Sequence, residues 1–196
     1  MHAGWAISLN PQMNIAALIA SVEASALATT IRNSLYLFPL IESVHVIGLT
    51  MVFGTILVVD LRLLGLASIT RSFSALASDV FKWTWLAFAV TATTGVLMFI
   101  TNASTYYNSA HFRAKMALLV VSGLNMLVFE LTARRSVHTW DRNAAPASGK
   151  AVAALSVVIW IGVIVLGRWV GFATASEPAP VDPSIDLERL EDLLPK

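Results

Sequence analysis

The stretch "LFPLIESVHVIGLTMVFGTILVV", residues 37–59, decides the fold. It is longer than the roughly 20 apolar residues that a helix needs to cross a bilayer. It does not alternate polar and apolar positions as a barrel strand would. Lipid offers no partner to open backbone groups, so the run reads as a membrane-spanning helix. Two ionisable residues interrupt it, Glu42 and His45, and a spacing of three puts both on one helical face.

Three more runs have the same character, about Trp83 to Ile100, Ala114 to Leu131 and Val152 to Ala173. The whole chain agrees with them. It has 196 residues, 57% of them hydrophobic and 13% charged, where soluble domains carry about a quarter charged residues. Its mean hydropathy is +0.72. The expected fold is all-α, an integral membrane four-helix bundle over residues 37–173 that contacts the lipid bilayer. A net charge of +1 with no basic stripe gives no reason to expect nucleic acid as a partner. Cysteine is absent, which removes disulfides, thiolate metal sites, iron–sulfur clusters and covalent c-type haem.

Residues 1–36 form an N-terminal segment. Its start, "MHAGWAISLNPQ", has no basic region ahead of an apolar one, so no cleavable signal is expected. Over Asn14 to Arg32 an apolar stripe of Ile15, Leu18, Ile19 and Val22 predicts an amphipathic helix lying in the membrane interface. The alternative is a weak fifth span with Glu23 near its middle. Residues 174–196 form an acidic tail. Six of the twelve acidic residues lie from Glu177 onward, and "SEPAPVDPS" has the composition of a linker before a short amphipathic helix, "IDLERLEDLL".

Arg62, Arg71, Lys82, Arg134, Arg135, Arg142 and Lys150 outnumber Arg32, Arg113, Lys115 and Arg168 on the opposite side. The positive-inside rule then predicts both termini outside, in the periplasm of a bacterial inner membrane. On this orientation Glu42, His45, His111, Arg113, Lys115 and Arg168 share the outer level. The inner level holds Asp60, Arg62, Asn125, Glu130, Arg134 and Asp141, which read as structural, with Asp60 and Arg62 reaching the interface or pairing locally. Tyr36, Trp83, Trp85, Tyr106, Tyr107 and Trp140 read as the aromatic belt. "GRWVG", with Gly167 and Gly171, allows close helix packing.

His45 lies about two turns inside its span, where an ionisable residue normally faces the bundle interior with a partner. It is the candidate axial ligand for haem b, with His111 or Lys115 as the second ligand and Arg113 and Arg168 near the propionates. Glu42 is expected to pair with those cations. Glu42 and His45 also form ExxH, half of a di-iron signature, but no second copy exists. Copper could use His45 with Met51, Met98 or Met116. The reading with no cofactor is a buried polar tie.

The ordered motifs "LYLFPLIESVHVIG", "DLRLLG", "NSAHFRAKMALL", Asn125 and "GRW" resemble a family of uncharacterised bacterial four-span membrane proteins, over about Leu35 to Trp169. More distantly the pattern is similar to the membrane-type protoporphyrinogen IX oxidase and the copper-resistance D proteins. In the oxidase family a histidine in an early span and a lysine opening a later span bind haem or support activity. His45 and Lys115 stand at those positions, so the resemblance implies a haem site built on them. The expected function is electron transfer or oxidation of a small membrane-accessible substrate, with a redox partner. The alternatives are a non-catalytic membrane subunit packed against a partner protein, and a copper-handling membrane protein.

Overall fold

The computed structural model describes residues 11–175, with side chains over 15–172. The acidic tail and His2 lie outside the described residues. Four long helices carry the fold: α3 (Leu37–Leu64), α4 (Phe73–Thr101), α6 (Ala110–Leu131) and α8 (Ala147–Ala175), with short α5 (Ala103–Asn108) and α7 (Val137–Trp140) in the connections. Each of four segments is long and apolar enough to cross a bilayer: Leu37–Leu64, Phe73–Thr101, Ala110–Trp140 and Ala147–Phe172. The chain is a multi-pass membrane protein.

The helices outrun the hydropathy signal because capping, not apolarity, sets their ends. α3 has 28 residues, about 42 Å of helix against a hydrocarbon core of about 30 Å. Ser72 and Ser109 accept from Ala75 N–H and Phe112 N–H and start α4 and α6. Gly65, at φ 77°, closes α3 in the left-handed conformation.

The segment before the bundle is not the single helix expected over residues 14–32. It forms α1 (Pro11–Glu23) and α2 (Ala26–Asn33), bent by 53°. The break has a local cause. Ser25 caps α2 by accepting from Ala28 N–H, while the Glu23 carboxylate turns to the Ser104 backbone N–H and hydroxyl and to Arg32. Arg32 also donates to the Glu23 and Thr101 carbonyls. Ala28 and Ile31 of α2 are buried, whereas Ile15 and Leu18 of the expected stripe are exposed.

α3 packs against α4 and α8, and α6 packs against α8. One core lies mid-bundle around Val52, Ala87, Ile159, Trp160 and Val163. A second lies at the end marked by Arg62, where the Phe73 ring meets Phe129 at 5.7 Å and Trp140 at 5.1 Å. Trp140 is therefore core rather than belt, and its indole N–H donates to the Ala133 carbonyl. Trp83, Trp85, Tyr36 and Tyr107 are exposed as expected.

Arg62 corrects a second expectation. It does not reach the interface; it is 1% exposed. Its guanidinium donates to the carbonyls of Arg71, Asp141 and Asn143, so one side chain ties together both loops at this end. The Asp141 carboxylate accepts from the Ser74 N–H at 2.7 Å and caps α4 from a different loop. That bond and the Ser74 hydroxyl hold the Asp141 carboxyl below the usual aspartate range.

Candidate functional site

At the opposite end, His45 projects from α3 onto α4. Its Nδ1 lies 3.0 Å from the Thr91 carbonyl oxygen and 3.1 Å from Thr94 Oγ1. A carbonyl can only accept, so Nδ1 carries the proton. The Thr94 hydroxyl donates back to its own helix, to the Val90 and Thr91 carbonyls, and is free to accept from the same Nδ1–H. In the neutral imidazole this fixes the tautomer, with the proton on Nδ1 and the lone pair on Nε2. Ligating histidines are held in this way.

Glycines make the space for this geometry. A Cβ at position 95 would stand 3.1 Å from His45 Cε1. The Lys115 amine lies over Gly167 of α8, where a Cβ would meet Nζ at 3.5 Å. His45 and Lys115 are within electrostatic reach of each other. Lys115 is half-buried and has no hydrogen bond or ion pair among the described residues.

The other predicted site residues are placed differently. His111 sits one turn from Lys115 on α6 and stacks on Trp169, with ring centroids 6.0 Å apart. Arg113 is exposed and makes no ion pair among the described residues. Arg168 is exposed, its guanidinium 4.7 Å from the Phe172 ring centroid. The two arginines therefore do not crowd the His45–Lys115 pair. Glu42 departs furthest from expectation. It is exposed and forms no ion pair with Lys115, Arg113 or Arg168. Its charge acts instead on Tyr106, whose hydroxyl burial and Glu42 together push above the usual tyrosine range. Tyr106 belongs to a stack with Phe99 and Phe112. Among the described residues no three His, Cys, Asp or Glu side chains gather in one group.

Sequence reasoning missed Thr91, Thr94 and Gly95 as His45's seat. The signal was there: "TATTG" puts two threonines three apart and a glycine beside them at the matching depth of α4. It also misjudged the glycines of α8. A Cβ at Gly167 would be in ordinary contact with the Lys115 side chain, and one at Gly171 would meet nothing within 4 Å. The tight approaches are at Gly48, where a Cβ would come within 2.5 Å of Thr91 Oγ1, and at Gly162 of α8, where it would come within 2.8 Å of Leu118 Cδ1. Two hollows in the bundle are lined by neither His45 nor Lys115. One is an apolar groove of about 230 Å³ between α3 and α4, lined by Val44, Gly48, Met51 and Ala87 among others. The other, about 150 Å³, lies beside Phe73 and Arg134.

The chain belongs to a family of unknown function, DUF6644, whose pattern covers residues 23–173. No curated protein and no solved structure gives a significant match.

Proposed function

We propose that the His45–Lys115 pair is a haem b site within the membrane bundle, serving electron transfer or oxidation of a small membrane-accessible substrate. The observation that carries this reading is the His45 ring itself. Nδ1–H is bound to the Thr91 carbonyl, which leaves Nε2 as the ring nitrogen available to a metal, and Lys115 lies within electrostatic reach of the ring. A haem iron needs such a nitrogen as an axial ligand. Lys115 would be the second ligand or a propionate partner. His111, stacked on Trp169, is the weaker candidate for either role. Arg113 and Arg168, at the same end, would meet propionates only where these reach the surface. Bound haem would supply one-electron chemistry; the chain would supply ligation and an apolar, water-poor setting. Neither hollow touches the pair, so haem entry requires the side chains between α3–α4 and α6–α8 to part.

On the positive-inside assignment this end faces the periplasm of a bacterial inner membrane, with both termini on that side. The test is the absorption spectrum of the protein purified in detergent after expression with haem supplied. A Soret band that His45→Ala abolishes supports the reading. A colourless wild-type protein overturns it.

The same bond favours a second reading, a non-catalytic membrane subunit in which His45 merely ties α3 to α4. That reading predicts a colourless protein whose stability falls in His45→Ala and which copurifies with a membrane partner. Copper handling has less support, because the ligands gathered around His45 are a carbonyl and a hydroxyl. Stoichiometric copper in the purified protein would reinstate it.

A further inference from the structure

Asp60 breaks the rule that buried polar atoms are paired. It is 6% exposed, and its Oδ2 is the one fully buried side-chain nitrogen or oxygen among the described residues with no hydrogen-bond partner. Its polar neighbour is the Ser156 hydroxyl of α8, itself buried. Among the described residues no cation is paired with it. Arg62, two residues along α3, is engaged by three loop carbonyls. On the packed helices Asp79, Lys82 and Lys150 are exposed, and on α6 Glu130 pairs with Arg134. An ionised carboxylate with one hydroxyl for company in an apolar bundle is costly, and the neutral acid far less so.

We propose that Asp60 is a proton-binding site, held as the neutral acid and exchanging its proton with the water at the Arg62 end of the bundle. The route is short. Asp60 lies four residues from the end of α3 at Leu64, about 6 Å of helix. A sodium ion would need several oxygen ligands, and Ser156 is the one polar side chain shown acting on Asp60. The site is independent of the haem reading: Asp60 is fifteen residues from His45, about 22 Å along the same helix.

The test uses the full chain in lipid vesicles, comparing wild type with Asp60→Asn by infrared spectroscopy across pH. The expected result is a protonated-carboxyl band at pH 5.5 that is absent from Asp60→Asn, shifts in D₂O and disappears reversibly at higher pH. A hydrophobic carbodiimide gives a second readout on the wild type alone. The carboxyl O–H adds across one C=N bond with nothing leaving, so only the acid reacts. Mass spectrometry should place the adduct on Asp60, with labelling falling roughly tenfold per pH unit once the acid ionises. A difference spectrum showing an ionised Asp60 carboxylate at pH 5.5, where an ordinary aspartate is ionised, overturns the proposal. Labelling suppressed by sodium at constant pH also overturns it, in favour of a cation site.

Discussion

The His45 Nδ1–H is held by the backbone carbonyl of Thr91, 3.0 Å away across the α3–α4 seam. Because the acceptor is main chain, no side-chain substitution at Thr91 removes it, whereas changes at His45 or in the space around its ring do. His45→Ala should lose the proposed haem absorbance and about 1 kcal/mol of stability from the broken bond. Absorption spectra and thermal unfolding in one detergent check both.

Gly95→Ala tests the seat of the ring. The new Cβ would stand 3.1 Å from His45 Cε1, so the ring must tilt and Nε2 must re-aim. The expected outcome is a folded protein with a shifted Soret maximum or weakened haem retention. An unchanged spectrum at full haem occupancy would show that the ring position is immaterial to the cofactor.

Gly48→Ala should be more damaging to the fold. Its Cβ would come within 2.5 Å of Thr91 Oγ1, which is itself anchored to the Ala87 carbonyl at 2.8 Å. Forcing α3 and α4 apart should cost about 1–3 kcal/mol. Adding Thr91→Ala removes the opposing oxygen, and the double variant should recover part of the loss in thermal unfolding.

Lys115→Met should separate stability from function. The lysine amine is half-buried and has no hydrogen bond or ion pair among the described residues, while methionine fills similar space without a charge. The bundle should gain about 1 kcal/mol and the haem site should weaken. A lowered unfolding temperature would count against this account of Lys115.

The Arg62 end should loosen in acid. The Asp141 carboxyl is held below its ordinary range chiefly by the Ser74 N–H, so its contribution is complete above about pH 4 and is lost as pH falls through the lowered value. Proteolysis between residues 141 and 146 should accelerate in that window. Asp141→Asn should remove the pH dependence. Arg62→Lys should open the same loops at neutral pH, because a single ammonium cannot reproduce the guanidinium fork.

The sequence by itself determined the class of fold and the four spans. Each rests on a local property, such as the length of an apolar run or the rise per residue of a helix. It did not determine the helix ends, which Ser72, Ser109 and Gly65 set by capping, nor the break at Ser25. It also did not determine which way each side chain faces. In a soluble helix the apolar stripe marks the buried face, but here lipid and core are equally apolar and the stripe carries no azimuth. Glu42 and His45 share a helical face by spacing, yet Glu42 is exposed near Tyr106 and His45 turns onto α4. Asp60 and Arg62 were both expected at the interface or in local pairs, yet both are buried, Arg62 bonded to loop carbonyls and Asp60 with one carboxylate oxygen unpartnered. Only the rotation of each helix against its neighbours decided those partners, because in lipid it is the close fit of neighbouring helices, and not the exclusion of water, that selects the face.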